Sequence, residues 1–206
     1  MKDKKYILTE ETKEVDGHIL HRIQAIKDFG RIQAIKDFGC IKAGDLGGWV
    51  EKEENLSHEG VCWVYGNAQV YGDAKVCGDA EVSGDARVFD DAEVYGDAQI
   101  YGYARVHGNA QVYDDARVFG NARVCGYAKI YTGDITSTQD YLVVGPIGSR
   151  NDFTTFFKAN GTIMISCGCF KGTIEKFEEK VMEKYPNGIY FQQYTSACFF
   201  AKANLI

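Results

Sequence analysis

From Trp63 to Tyr131 one six-residue phrase recurs: VYGNAQ, VYGDAK, VCGDAE, VSGDAR and onward to VCGYAK. Val or Ile stands at 64 and every sixth residue to 130, twelve times without a miss, and Ala at 68 and every sixth residue to 128, eleven times. A six-residue unit cannot close a core of its own, so neighbouring repeats must bury one another's apolar side chains. In each phrase the Ala, the next residue and the next Val alternate inward, outward, inward, which is the period of a short β-strand. The Gly-Asp or Gly-Asn between strands is a corner, because glycine takes positive φ without a Cβ clash and Asp or Asn is the next best residue there. Three strands and three corners make a triangular coil of 18 residues. Val/Ile and Ala, one large and one small, fill a narrow prism whose coils stack about 4.8 Å apart.

This pattern resembles the left-handed parallel β-helix of hexapeptide-repeat proteins, and that resemblance supplies the hand. Run backwards, the frame puts Cys62 in the Ala slot, with Leu56 and Val50 fitting the same slot less well. The prism then starts near Gly44 and holds about five coils, a length on the order of 24 Å. The expected chain is mainly β: an N-terminal cap over 1–43, the β-helix over 44–135 and a small C-terminal α+β domain over 136–206.

The cap contains the nonapeptide RIQAIKDFG twice, at 22–30 and 31–39. Nine residues are one and a half hexapeptides, so the duplication cannot enter the coils in phase. It reads as a recent slip in the gene, with one copy bulging or the two pairing as a hairpin around Phe29-Gly30. With one copy removed, DFGCIKAGDLGGWVEKEENLSHEGVCWVYGNA resembles the N-terminal signature of a family of hexapeptide-repeat proteins of bacteria, phages and prophages, often labelled acyltransferases. VVGPIGSRNDFTTFFK is similar to the tail of its phage and Gram-positive members.

After Tyr131 the period vanishes. Tyr141–Ile147, Phe153–Lys158 and Thr162–Ser166 read as strands, with turns at Gly148–Asp152 and Asn160-Gly161. Thr173 can cap a helix to about Tyr185, with Ile174, Phe177, Val181 and Met182 on its inner face and Glu175, Glu178 and Glu179 toward water. A second helix follows from about Phe191 to Ala203. This unit is expected to close the open end of the prism.

Taking every eighteenth residue assigns the outward side chains to three faces. One carries Trp63, Glu81, Gln99 and Arg117; another carries Lys75, Glu93, Gln111 and Lys129. The third carries Gln69, Arg87, Arg105 and Arg123, beside Tyr71, Phe89, His107 and Cys125. Three arginines at interstrand distance repel. Asp85 can offset Arg87, but the equivalent corner positions hold Tyr103 and Asn121, leaving Arg105 and Arg123 least compensated. Arginine beside Phe89 and His107 is a seat for a phosphate or carboxylate, with stacking for a ring. A solvated face, or pairing with a neighbouring subunit's Glu81 or Glu93, is the competing reading. In Gly145–Asp152 the glycines permit close approach and Ser149, Arg150 and Asn151 are donors, without the Lys-Ser/Thr ending of a P-loop; a plain hairpin turn would have the same composition. One corner stacks Asp79, Asp97 and Asp115, which turn preference alone explains, and Cys167-Gly-Cys169 lacks further ligands and reads as two strand residues. No metal and no cofactor are expected.

The seven cysteines read as reduced thiols, Cys62 inside the prism and Cys77 and Cys125 outside. No apolar run is long enough to span a bilayer, and MKDKKYILTEE lacks the apolar region of a signal peptide, so a cytoplasmic protein without a membrane partner is expected. A net charge of −6 argues against general nucleic-acid binding. Outward Tyr and Phe ladders are expected to pack between subunits, and the resemblance implies a trimer.

The expected function is a non-catalytic, oligomeric binding protein with an anionic small molecule or a host protein as partner. The phage-like resemblance implies counter-defence: sequestering a nucleotide, or blocking a host defence effector in the manner of an anti-CRISPR. The alternative is an acyl-CoA-dependent acyltransferase with His107 as general base, as in left-handed β-helix acyltransferases. Those enzymes interrupt their coils with cleft-forming loops, whereas 61–131 here is unbroken. A purely structural scaffold is the remaining alternative.

Overall fold

The computed structural model describes residues 4–30 and 40–205. A parallel β-solenoid of triangular coils forms the centre. Its strands are two residues long and recur every six residues, from Trp63–Val64 to Lys129–Ile130, with Asp134–Ile135 closing the series. Register follows the 18-residue step on all three faces: Arg87 pairs with Arg105 and Arg105 with Arg123, Glu81 with Gln99, and Glu93 with Gln111. Every repeat Val or Ile is at most 1% exposed and every repeat Ala is fully buried. Backbone N–H groups donate one coil onward, as from Arg105 to the Ala122 carbonyl at 2.9 Å. The corners need left-handed backbone. Where Asp replaces Gly, at Asp90 and Asp114, φ is +59° and +52°, the substitution that Asp tolerates best after Gly.

The first coil departs from the simple frame. Val50 pairs with Val70, and Leu56 bridges Val76, both 20 residues apart. Val50 and Leu56 therefore occupy the Val slot and not the Ala slot. The corner between Leu56 and Cys62 is two residues longer than the later ones, which shifts the phase. Cys62 remains in the Ala slot, fully buried.

The cap is built by Tyr6–Val15, His18–Ala25 and Leu46–Val50. These pair antiparallel and extend one prism face into a seven-stranded sheet that ends at Arg123–Val124. Lys5 closes the prism end from within. It is 1% exposed, and its Nζ donates to the carbonyls of Gly60 and Cys62 and lies 3.3 Å from the Cys62 thiol. Burial lowers its pKa and raises that of Cys62. The first nonapeptide copy runs through the second cap strand, and Phe29 bridges Ile41. The second copy lies outside the described residues, and with it the bulge or hairpin expectation.

At the other end four antiparallel strands, Tyr141–Ile147, Asp152–Ala159, Thr162–Cys167 and Phe170–Thr173, form a separate sheet. The fourth strand was absent from the sequence reading, and Cys169 sits in the turn before it, not in a strand. One sheet face, with Phe157 and Ala159, joins the prism core; the other, with Phe156 and Ile165, packs on helices α1 (Ile174–Lys184) and α2 (Ile189–Asn204). The Thr173 side chain caps α1. Ile174, Phe177 and Val181 are buried, but Met182 is 60% exposed, because its position turns outward from the sheet. The last coil has no successor, so its donors are taken by side chains. Cys125 N–H donates to the Tyr141 hydroxyl and Lys129 N–H to Thr155.

Candidate anion-binding face and cleft

Two of the three prism faces alternate partners. Arg117 pairs with Asp134 at 2.7 Å, and Gln111 donates to Glu93 at 2.9 Å. The third places arginine on arginine on arginine. Arg87 has a partner, but it is Asp16 from the cap hairpin at 3.3 Å, and not Asp85. Asp85 instead accepts from Asn67. Among the described residues no ion pair is recorded for Arg105 or Arg123.

The cap lengthens this cationic face. Lys13 lies 4.3 Å and Arg22 5.1 Å from the Trp49 ring, on the same sheet. Burial lowers the Lys13 pKa, and the charges of Arg22 and Arg87 lower it further. Among the described residues the buried donors Arg22 Nε and Trp49 Nε1 and the buried acceptor Gln69 Oε1 have no hydrogen-bond partner, a costly condition that an anion or water relieves at the two donors and water at the Gln69 oxygen. Lys13, Arg22 and Asp16 escaped the sequence reading because the irregular cap, unlike the coils, gives no register to extrapolate.

Phe89 cannot be a stacking platform for a ligand. Tyr71 stacks on it at 5.1 Å and His107 at 4.7 Å, both within 4° of parallel. Both ring faces are covered, because the coil spacing is also the stacking distance. His107 Nδ1 lies 3.7 Å from an Asp90 carboxylate oxygen, so His107 is held as a ring in a ladder. The other ladders also cover themselves: Tyr95 on Tyr113 at 4.9 Å and Tyr101 on Phe119 at 4.8 Å. Among the described residues the large rings left exposed are instead Phe199 (78%) and Phe200 (52%) on α2, with Tyr103 and Tyr127 on the prism and Tyr190 at the start of α2.

The Gly145–Asp152 loop lies at the opposite side of the C-terminal sheet from the prism core. Ser149 and Arg150 line a cleft of about 300 Å³ with Lys180, Lys184 and Tyr185, floored by Phe170, Phe177 and Tyr194. No residue of the arginine ladder lines it, so the two candidate regions do not converge. Asn151 does not line it either; it takes the left-handed turn position (φ +50°) and its N–H donates to Gly148 O. Ser149 Oγ and Tyr185 Oη are 2.8 Å apart. That bond, with Lys184 and Arg150 nearby, lowers the Tyr185 phenol pKa. Burial pushes Tyr194 up to about 12. Lys180 and Lys184 stand one turn apart on α1, a spacing visible in the sequence once the helix is drawn.

Among the described residues no cluster of His, Cys, Asp and Glu is placed to hold a metal ion, and no helix is long and apolar enough to cross a membrane. No curated protein matches the chain. A family model described as the YdcK beta solenoid repeat matches residues 110–126. The chain is thus similar to β-solenoid repeat proteins over about one coil, a similarity of fold that names no activity.

Proposed function

We propose that this chain is a non-catalytic binding protein whose cationic prism face seats an anionic partner. One observation carries the reading: on this face alone, arginines stack on arginines, and Arg105 and Arg123 have no ion pair among the described residues. A repulsive arrangement is relieved by a ligand that brings the missing charge. With the resemblance to phage and prophage proteins, the partner class is a nucleotide signal or the acidic surface of a host defence protein, met in the cytoplasm. The chain assembles with copies of itself, and the rings available for that contact are Phe199 and Phe200 rather than the self-covered ladders. His107 gives little support to acyl transfer, since its ring lies flat on Phe89 beside Asp90.

The test is a thermal-shift panel at low salt with mononucleotides, cyclic dinucleotides and acetyl-CoA. A ligand that binds only the folded state raises the midpoint. A rise induced by the cyclic dinucleotides that disappears in the R105Q/R123Q variant supports the reading. A rise with acetyl-CoA alone, accompanied by thiol release with an acceptor, would replace it with the transferase. Light scattering should give a multiple of the 22.9 kDa chain mass, lost in F199S/F200S; a monomeric parent sinks the assembly part.

A further inference from the structure

The C-terminal cleft is a second cationic feature, built from residues that the ladder does not share. Its rim carries Arg150, Lys180 and Lys184 against one carboxylate, Asp152. No salt bridge is recorded for any of the three cations among the described residues. Lys180 Nζ rests 5.3 Å from the centre of the Phe170 ring and Lys184 Nζ 5.4 Å from that of Tyr185. The Ser149 and Tyr185 hydroxyls are bonded to each other, which leaves one O–H donor at the same rim. The floor is apolar, with Phe170 and Phe177 in tilted contact at 5.1 Å. Two glycines let Arg150 and Tyr194 pack close against the backbone at this site. A Cβ on Gly168 would meet Arg150 Nη1 at 2.9 Å, and a Cβ on Gly148 would collide with the Tyr194 hydroxyl. At about 300 Å³ the cleft sits at the small end of the range of about 300–1,000 Å³ usual for small-molecule sites.

We infer that this cleft binds a phosphorylated small molecule bearing a planar ring, of mononucleotide size. Arg150, Lys180 and Lys184 take the phosphate, since a guanidinium offers a fork of donors and the two ammonium groups add point charge. The ring lies on the apolar floor against Phe170. Small anions without a ring bind the same rim more weakly. This site stands whether or not the arginine ladder is a ligand face.

The experiment uses the full chain and three probes by calorimetry: ATP, pyrophosphate and adenosine. ATP binds saturably, pyrophosphate more weakly, and adenosine at least about tenfold more weakly than ATP, the loss that goes with charge-assisted hydrogen bonds. K180Q/K184Q, two exposed helix positions, lowers ATP affinity about tenfold or more with an unchanged melting midpoint, whereas R105Q/R123Q leaves it as in the parent. Cys169 lines the cleft and is exposed, so saturating ATP should slow its alkylation by iodoacetamide, followed by peptide mass spectrometry. No saturable binding of ATP or pyrophosphate overturns the inference. So does ATP affinity unchanged in K180Q/K184Q, or unchanged Cys169 alkylation; binding lost only in R105Q/R123Q would assign the ligand to the prism face instead.

Discussion

The prism and the C-terminal domain place neighbours beside one another by opposite rules. In the prism a side chain's neighbour is the residue 18 positions away, drawn from the same slot of the same phrase, so like meets like. That suits Val on Val and ring on ring. It is unfavourable for Arg87, Arg105 and Arg123, which repetition stacks as readily as it stacks alanines. In the C-terminal domain neighbours come from unrelated stretches, and the contacts are complementary: Lys202 Nζ to Glu178 at 2.8 Å, Thr154 to the Cys167 thiol at 3.2 Å, Ser149 to Tyr185. The lesson is where surplus charge accumulates. A periodic scaffold supplies the compensating partner only where its sequence varies, as at Gln111 and Glu93, or where a non-repeating segment arrives, as Asp134 does at Arg117 and Asp16 at Arg87.

The contrast predicts how each region fails. Phe156 is fully buried in the core between the C-terminal sheet and its helices. Phe156→Ala should cost about 3–5 kcal/mol, the range for truncating a buried Phe. The loss should fall on the helical signal of α1 and α2, read by circular dichroism, before the solenoid melts. A single transition in which the helical and solenoid signals shift together would show that the cores are not separate. Next in size, Ala98→Leu or Ala104→Leu should cost about 1–3 kcal/mol by overpacking. Each Ala is fully buried, and the coils above and below leave no direction in which the larger group can go. Unchanged melting of both variants would contradict the closed prism.

Much of the prism was legible in the sequence because its period is strict. The three faces, their residue pairs and the buried Val and Ala slots follow from counting by 18. The first coil misled because a corner lengthened by two residues moves Val50 and Leu56 into another slot without altering their apolar character. In the C-terminal domain the long strands and both helices were readable, but Phe170–Thr173 is four residues with an internal glycine, too short to show alternation. The candidate site divides in the same way. The arginine register was readable; Asp16 as the partner of Arg87 was not, because it reaches across 71 positions from an aperiodic hairpin. The covering of Phe89 on both faces follows from the coil spacing once rings are imagined flat.

Both regions carry buried phenols, so alkaline pH probes them together. Burial pushes Tyr71, Tyr95 and Tyr131 in the ladders, and Tyr194 beside the cleft, up to about 12 from an ordinary value of 10. A folded pKa above the unfolded one contributes stability that is complete below pH 10 and is lost as pH rises through the folded value. Through these phenols the urea midpoint should fall between about pH 10 and 12, and the buried Cys198 thiol, pushed from 9 to about 12, adds a loss that begins near pH 9, with phenolate absorbance lagging that of free tyrosine. Ionisation at the free-tyrosine pH without unfolding would mean that the ladders are open to water.

The smallest effect tests the central claim most directly. Arg105 and Arg123 are paired in register without a counter-charge among the described residues, and a like-charge contact of this kind costs roughly a few tenths of a kcal/mol. R105Q/R123Q in dilute buffer, without added anion, should melt about 1 °C above the parent, and the difference should close as salt screens the parent's repulsion. A double variant that melts below the parent in the same buffer would show that the two arginines are held by structural partners. The third prism face would then be an interface between subunits and not a seat for an anion.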